Sequence, residues 1–402
     1  MKKFSSIWHK LAFLLTSIIF VIILSSSSVM AAGYTWTNQT GVGIHNWQDI
    51  ASSSNGQYLA ALVDNANIYT SSDYGTNWTV QPGAGSHQWS GIASSTDGSK
   101  LVASVYGGDI YTSSNYGVTW TDQSGAGSRN WQALSSSSNG VELVASVYAG
   151  NIYTSTDSGV NWTVQPGAGS HQWLSVDESA NGQYIVAVDI GGDIFVSNDG
   201  GVNWANPMSG GSRVFVSAAM SGTGQYMVVV DNNNGNIYTS SNYGVTWVAQ
   251  PGAGNEDWNA VAMSSSGQYL VAGISNNASG SIYTSADYGI TWTKQTAPGQ
   301  AIWSTLTISS DASRIVAGQS SDFQGQLWTA YNPALVAQVQ PTTTTTTAVT
   351  PTTQQGSVSA PNTGLGKPIN NATEKGLLIT ATICISLGLI VAYRSRLELD
   401  NQ

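Results

Sequence analysis

The stretch NWTVQPGAGSHQW at residues 77–89 recurs letter for letter at residues 161–173, 84 residues further along the chain. A fixed internal period is the sequence signature of a repeat architecture. Recurring tryptophans show the period, which is 42 residues over most of the chain and slightly longer near its end. These tryptophans are Trp36, Trp78, Trp120, Trp162, Trp204, Trp247 and Trp292.

Each repeat has the pattern of short strands joined by tight turns. Runs of four to seven residues rich in Ile, Val, Tyr, Trp and Thr alternate with Ser-Asn-Gly, Gly-Gly and Asp-Tyr-Gly turns. In the second repeat the predicted strands lie near Trp89–Ser94, Lys100–Tyr106, Asp109–Ser113 and Val118–Asp122. Four-stranded repeats of about 40–45 residues indicate a β-propeller, in which each repeat forms one blade.

The two ends of the repeat array complement each other. The array begins at Tyr34 with a strand that no turn motif precedes, and it ends after Leu327–Thr329, a third strand without a fourth. The N-terminal strand can therefore complete the last blade. We predict an all-β fold, a seven-bladed β-propeller of four-stranded blades that spans residues 33–335 and is closed by its N-terminal strand.

A motif of the form S-x-D/N-x-G-x-x-W connects the third and fourth predicted strands in six repeats, as in SSDYGTNW at residues 71–78. Its acidic or amide position holds Asp73, Asn115, Asp157, Asp199, Asn242 and Asp287. The motif resembles the Asp-box, or BNR repeat, of sialidases, sortilin-type receptors and photosystem II assembly-factor propellers. The residue types also suit a structural role, since Asp or Asn can bond to the backbone of a tight turn and glycine permits a positive φ.

The charge balance excludes one class of partner. The whole chain has 12 Lys and Arg against 22 Asp and Glu, a formal net charge of −10. Nucleic-acid binding depends on clustered Lys and Arg, so we predict no nucleic-acid partner. The single cysteine, Cys384, allows no disulfide within the chain.

The chain ends predict display at the cell surface. Residues 1–31 resemble a secretion signal, with three lysines before an apolar run, although an uncleaved membrane anchor is the alternative. Residues 336–375 form a Thr/Pro-rich stalk, residues 376–393 are apolar enough for a transmembrane helix, and residues 394–402 would be a cytoplasmic tail.

The stalk contains APNTG at residues 360–364, and the order APNTG, apolar segment, basic residues resembles the LPxTG-like sorting signal of Gram-positive surface proteins. Ala360 departs from the leucine that usually opens this motif. The resemblance implies that a sortase would cut between Thr363 and Gly364. Simple retention by the membrane helix is the alternative.

Two positions in the loop before each first strand are candidates for ligand binding. The polar position holds His45, His87, Arg129, His171 and Arg213 in the first five repeats. Two residues later the aromatic position holds Trp47, Trp89, Trp131, Trp173, Trp258 and Trp303, with Phe215 in the fifth repeat. We predict that these side chains surround an open face and bind an extracellular glycan or a protein ligand. The alternatives are that the aromatic residues are core and that the His and Arg residues are copied loop positions.

The sequence does not contain a recognisable catalytic constellation. The resemblance to sialidases would imply three converging arginines, yet Arg314 occupies a different repeat position from Arg129 and Arg213. We also predict no metal site and no cofactor, because the histidines lie on separate blades. The leading hypothesis is a non-catalytic binding or adhesion module, and the alternatives are a sialidase-like glycoside hydrolase and an envelope assembly or scaffold protein.

Overall fold

The computed structural model describes residues 33–275, 280–320 and 325–339. The strands in these residues form four antiparallel four-stranded sheets and one twelve-stranded sheet, in which three four-stranded units are joined by short strand pairings. The resulting seven four-stranded units are numbered here in chain order. The first strands are β2 (Trp47–Ser52), β6 (Trp89–Ser94), β10 (Arg129–Ser136), β14 (His171–Glu178), β18 (Phe215–Met220), β22 (Trp258–Met263) and β26 (Trp303–Ile308). The second strands are β3 (Leu59–Val63), β7 (Leu101–Gly108), β11 (Leu143–Gly150), β15 (Ile185–Asp189), β19 (Met227–Asp231), β23 (Leu270–Ile274) and β27 (Arg314–Gln319).

The third and fourth strands complete each unit in the same order. The third strands are β4 (Ile68–Ser71), β8 (Ile110–Ser113), β12 (Ile152–Ser155), β16 (Ile194–Ser197), β20 (Ile237–Ser240), β24 (Ile282–Ser285) and β28 (Leu327–Tyr331). The fourth strands are β5 (Thr79–Gln81), β9 (Thr121–Asp122), β13 (Thr163–Gln165), β17 (Ala205–Met208), β21 (Val248–Gln250), β25 (Thr293–Gln295) and, for the seventh unit, β1 (Thr35–Asn38).

The first strands of the seven units surround a central channel. Their side chains line a cavity of about 340 Å³, and each first strand is bonded to neighbouring units. Asp49 on β2 accepts hydrogen bonds from the Ile92 amide in the second unit and from the Thr305 hydroxyl in the seventh. These bonds close the ring of units around the channel.

The N-terminal strand takes the place of a fourth strand in the last unit, as the sequence predicts. β1 pairs antiparallel with β28, with Trp36 opposite Ala330. The Gln39 side chain donates to Thr329 Oγ1 at 2.6 Å. The same bond joins Gln81 to Thr70 in the first unit at 2.7 Å, so the two ends of the chain reproduce a repeat that is continuous elsewhere.

The antiparallel order places the turns alternately at the two ends of each unit. The third-to-fourth turns, which carry the Asp-box motif, share one face of the propeller with the first-to-second turns. The second-to-third hairpins and the loops between units share the opposite face. We call these the Asp-box face and the hairpin face. Five loops between units contain a 3₁₀ turn: Thr40–Val42, Pro82–Ala84, Ser124–Ala126, Pro166–Ala168 and Pro251–Ala253.

A short helix, α1 (Pro333–Val339), follows the last strand. It extends past residue 335, where the sequence predicts the boundary between propeller and stalk. The predicted secretion signal, the rest of the stalk with Thr363 and Gly364, the transmembrane helix and the tail lie outside the described residues. None of the described helices has the length and apolar character that a membrane span requires.

Candidate functional site

The Asp-box turns are held by a hydrogen-bond network that involves nearly every recurring residue of the repeat motif. In the first unit, Asp73 accepts from the Ser71 hydroxyl at 2.9 Å and from the Asn77 amide and side chain at 2.9 and 2.7 Å. The indole of Trp78 donates to the carbonyl of Gly75 at 3.0 Å. Gly75 has a φ of 81°, a conformation that glycine adopts without strain.

The same network recurs in the other Asp-box turns, including those that carry Asn. In the second unit Asn115 accepts from the Thr119 amide at 2.9 Å, and its own side chain donates to the Thr119 hydroxyl at 2.9 Å. Backbone bonding from Asn161 holds the pKa of Asp157 below its ordinary value. The Asp-box side chains of the described residues accept hydrogen bonds within their own turns and so hold these turns together.

The aromatic residues at the start of the first strands belong to the core. Six tryptophans and one phenylalanine have at most 1% of their surface exposed: Trp47, Trp89, Trp131, Trp173, Phe215, Trp258 and Trp303. The Trp47 ring packs edge-on against Tyr69 of the third strand, with ring centroids 5.6 Å apart. Because these rings have no exposed face for a ligand, their burial supports the core alternative. Truncation of such a side chain to Ala costs about 3–5 kcal/mol.

The polar residues two positions earlier lie over these buried rings on the hairpin face. His45 and His87 are half-buried and stand edge-on to Trp47 and Trp89, with centroids 5.2 and 5.1 Å apart. The guanidinium group of Arg129 lies 4.8 Å from the centroid of the Tyr153 ring. Each side chain packs within its own unit, so the five predicted residues occupy equivalent places without converging on one point.

His171 differs from the other members of this set, because it has an acidic partner. Its Nδ1 atom lies 2.8 Å from Oδ2 of Asp189, which is buried. Arg213 packs above Phe215, with its guanidinium carbon 5.8 Å from the ring centroid, and it donates to the carbonyl of Gly210. The repeat alignment does not predict the His171 pair, since Asp189 lies at the end of a different strand.

The central channel contains carboxylates that sequence reasoning did not single out. Asp177 accepts from the Ser135 hydroxyl and from the Met220 amide, both at 2.7 Å, and so joins three units. Burial raises the pKa of Asp177 to about 6. Burial also raises the pKa values of Asp49 and of Glu178, the latter with help from the Asp177 and Glu142 carboxylates.

An open cleft between the fourth and fifth units, on the Asp-box face, was likewise not predicted from the sequence. It has a volume of about 520 Å³. Its walls include the rings of Tyr184, Trp204 and Tyr243 and the amides of Asn198, Asn203 and Asn242. Tyr184 and Tyr243 stack across the junction with centroids 4.7 Å apart, and 39% of the Tyr243 surface stays exposed.

The cleft is larger than its counterpart of about 190 Å³ between the fifth and sixth units, and it lies where the fourth unit departs from the repeat. In other units a fourth-strand Gln bonds to a third-strand Thr, as Gln165 does to Thr154 at 2.7 Å. The fourth unit has Val196 and Pro207 at these positions, so the bond cannot form. The pairing of β16 with β17 accordingly shifts register between Ile194 and Val196. Both Val196 and Pro207 line the cleft.

Comparisons with known proteins agree with this fold. Residues 68–81 and 282–296 match the family model described as the BNR-Asp box repeat. The chain is similar to YCF48 from Cyanidioschyzon merolae, with a TM-score of 0.58 and 14% identity over 74% of this chain and 99% of that chain. It is also similar to a structure of YCF48 bound to D1 peptide, with a TM-score of 0.58 and 13% identity over 75% of this chain and 97% of that chain.

The chain is also similar in structure to part of a larger enzyme. The GH74 enzyme from Niastella koreensis gives a TM-score of 0.60 and 17% identity over 73% of this chain and 53% of that chain. No curated protein sequence matches the chain significantly. The repeat match and the structural similarities together define the chain as an Asp-box β-propeller, which confirms the predicted fold class. The chain spans about half the length of the GH74 enzyme and nearly all of YCF48.

Proposed function

We propose that this protein is a non-catalytic binding propeller, and that the cleft between the fourth and fifth units is its ligand site. The observation that carries the proposal is the composition of the cleft, which combines three aromatic rings with three asparagine amides. Its volume of about 520 Å³ lies within the usual range of ligand pockets, about 300–1,000 Å³. A glycan is the ligand class that fits this composition best.

The chemistry of the walls supports a neutral, hydroxyl-rich ligand. Aromatic faces pack against the C–H faces of sugar rings, and amides both donate to and accept from hydroxyl groups. The Asn203 amide nitrogen donates one hydrogen to Asp199 at 2.7 Å, which leaves its second hydrogen for a ligand. The polar side chains that line the cleft are uncharged, so a strongly charged ligand would find no ionic partner there.

Binding without turnover is favoured because the carboxylate beside the cleft is already bonded within its own turn. Glycoside hydrolysis requires two carboxyl groups about 5–10 Å apart across the scissile bond. Asp199, the Asp-box residue beside the cleft, accepts from Ser197 at 2.9 Å and from the Asn203 amide at 2.9 Å. Backbone bonding from Asn203 lowers its pKa, and a general acid needs the opposite shift.

Two other functions stay open as alternatives. A glycoside hydrolase is favoured by the similarity to GH74 enzymes. An assembly or scaffold protein that binds a peptide is favoured by the similarity to YCF48, one structure of which has a bound D1 peptide and is covered almost completely by this chain. Both relatives are less than 25% identical to this chain, a similarity that shows the shared fold alone.

Display of the propeller outside the cell is part of the proposal. It rests on the signal-like segment at residues 1–31 and on the stalk, apolar segment and basic tail at residues 336–402. We expect Thr363→Ala to abolish covalent attachment to the envelope if a sortase processes the APNTG motif. If wild-type protein is already extracted completely by detergent alone, the apolar segment is the anchor.

The cleft is tested by removing Tyr243, with an equivalent tyrosine as the control. Tyr243 and Tyr116 both occupy the variable position of an Asp-box, both have φ near 60°, and both pack against a tyrosine of the preceding unit. Asn tolerates that backbone conformation. Binding would be screened on a glycan array and then measured by titration with the oligosaccharide retained. We expect Tyr243→Asn to weaken binding about tenfold, equivalent to about 1.4 kcal/mol.

The control variant Tyr116→Asn should keep the wild-type affinity, since Tyr116 lies at the junction of the first and second units. Equal losses in both variants would contradict the cleft assignment. Hydrolysis of the retained oligosaccharide would contradict the non-catalytic proposal. Failure of every glycan to bind, together with capture of peptides from a peptide library, would favour the scaffold alternative.

A further inference from the structure

One strand position on the hairpin face distinguishes the fourth unit from the first three. The last residue of the ladder between first and second strands faces the buried aromatic residue, as Val63 faces Trp47. Four units have an apolar residue at this position: Val63, Val105, Val147 and Ile274. The fourth unit has Asp189 opposite Trp173, the fifth has Asp231 opposite Phe215, and the seventh has Gln319 opposite Trp303. A buried carboxylate there is costly unless other groups compensate its charge.

Two further side chains converge on this carboxylate. His171 Nδ1 lies 2.8 Å from Oδ2 of Asp189, and Asp193 follows in the hairpin between β15 and β16. One ligand atom from each of the three residues can be chosen so that all lie within 4.8 Å of one another. Asp189 is 5% exposed at its side chain and His171 is 29% exposed, so the group is anchored in the core and open to solvent.

We propose that His171, Asp189 and Asp193 bind a divalent cation. Imidazole nitrogen and carboxylate oxygen are ligands of Zn²⁺ at about 2.0–2.2 Å, so in a tetrahedral site two ligand atoms stand about 3.3–3.6 Å apart. An inward movement of the half-buried His171 and Asp193 side chains by about 1 Å brings the three atoms to this spacing. The two carboxylates supply two negative charges, which match the charge of the ion.

The three ligands belong to one unit, so the separation of the histidines around the ring does not argue against this metal site. The prediction of no metal site rested on histidines of separate blades, which do diverge around the ring. Here the second strand and its hairpin supply the two other ligands instead. Three protein ligands and an open face are typical of Zn²⁺ sites that also bind water or a ligand group. The site lies on the face opposite the glycan cleft and is independent of the function proposed for that cleft.

Neighbouring units have residues that suggest matched variants. Asn67 and Asn151 occupy the position of Asp193 in the first and third units, and Asp109 occupies it in the second. Asp193→Asn removes one carboxylate but keeps an oxygen that can accept from the Gly210 amide, a bond of 2.6 Å in the wild type. Asp109→Asn makes the same chemical change in the second unit and is the control. Asp189→Val installs the residue that the first three units have.

The experiment is a calorimetric titration of the metal-free, full-length protein with Zn²⁺, repeated with Mn²⁺. We expect one site in the wild type and in Asp109→Asn, and at least a tenfold lower affinity in Asp193→Asn, since even residues behind a metal ligand contribute about 10–100-fold. Asp189→Val should not bind. Zn²⁺ should raise the melting temperature of the wild type and leave that of Asp189→Val unchanged.

Two results would overturn the proposal. If wild-type protein takes up neither Zn²⁺ nor Mn²⁺, the cluster is an ion pair between His171 and Asp189 and nothing more. If Asp193→Asn and Asp109→Asn bind the metal as tightly as the wild type does, the ion lies elsewhere. The melting temperature of each variant without metal distinguishes a lost site from a protein that fails to fold.

Discussion

At the scale of single residues, the channel carboxylates make the stability of this protein depend on pH. Asp177 accepts from the Ser135 hydroxyl and from the amides of Glu178 and Met220. Burial nevertheless raises its pKa from 3.8 to about 6, so the loss of contact with bulk water outweighs the three hydrogen bonds. The pKa values of Asp49 and Glu178 shift in the same direction.

Because the pKa of Asp177 is raised, we expect the protein to become more stable on mild acidification. A carboxyl whose pKa is higher in the folded state stabilises the fold below its unfolded pKa, and this contribution is lost as the pH rises through the folded pKa. The window therefore runs from about pH 4 to pH 6. Two pKa units correspond to about 3 kcal/mol, and because Asp177 faces the channel we expect about 1–2 kcal/mol from it.

The measurement is the free energy of unfolding in urea between pH 4 and pH 7. The free energy of unfolding should fall as the pH rises over this interval, and Asp177→Asn should make this fall smaller by about 1–2 kcal/mol. The variant should also be less stable at every pH, since its new side-chain NH₂ group would face the backbone N–H of Met220, which needs an acceptor. Parallel stability curves for wild type and variant would show that another group titrates in this window.

At the scale of elements, the Asp-box turn is a small hydrogen-bonded unit whose key residue can be removed singly. Asp157 accepts from the Ser155 hydroxyl and from the amide and side chain of Asn161. We expect Asp157→Ala to lower the free energy of unfolding by about 1–2 kcal/mol at pH 7. The control is Asp122→Ala, which removes an exposed carboxylate at the end of β9 and should change stability by less than about 0.5 kcal/mol.

The pH dependence of this effect has the opposite sign to that of the channel. The pKa of Asp157 is lowered in the folded protein, so its contribution is present above the unfolded pKa and is lost as the pH falls through the folded value. The difference between wild type and Asp157→Ala should therefore shrink on acidification below about pH 4. A difference that stays constant would mean that the side chain acts through packing.

The sequence predicts these elements well because the information that defines them is local and repeated. Strand β6 has the predicted bounds, Trp89–Ser94, and the turn network follows from Ser, Asp and Gly at fixed spacing. The fourth strand, β9, is shorter than predicted because the Asp-box turn continues through residues 118–120. Alternation of apolar and polar residues marks a strand, but it does not show where a side-chain network ends it.

The candidate sites could not be predicted in the same way, because they lie where the repeat fails. Val196 and Pro207 remove a bond between strands at the cleft of about 520 Å³, whereas the equivalent cleft beside the intact Gln250–Thr239 bond has about 190 Å³. Asp189 pairs with His171 across a ladder of strands, 18 residues away in sequence. A signal was present in each case: a proline where the other repeats have glutamine, and a histidine and an aspartate at two positions that they do not occupy together in the other repeats.

At the scale of the whole molecule, the ring is closed by a single strand that is distant in sequence from its partner. The four residues of β1 pair with β28 from Thr35 opposite Tyr331 to Asn38 opposite Trp328. Trp36 and Tyr34 also pack against the apolar core of the seventh unit. Without β1, the third strand of that unit would be an exposed edge, which is a template for aggregation.

Removal of residues 33–39 should therefore destabilise the entire propeller and not only its last unit. Each unit packs on two neighbours, so an opened seventh unit exposes its contacts with the first and sixth as well. We expect the melting temperature to fall by at least 10 °C, or the protein to aggregate, in a thermal melt followed by light scattering. A synthetic peptide of residues 33–39 should restore the melting temperature by adding the missing strand, whereas a scrambled peptide of the same composition should not. A truncated protein that melts at the wild-type temperature would mean that β1 covers the ring without closing it.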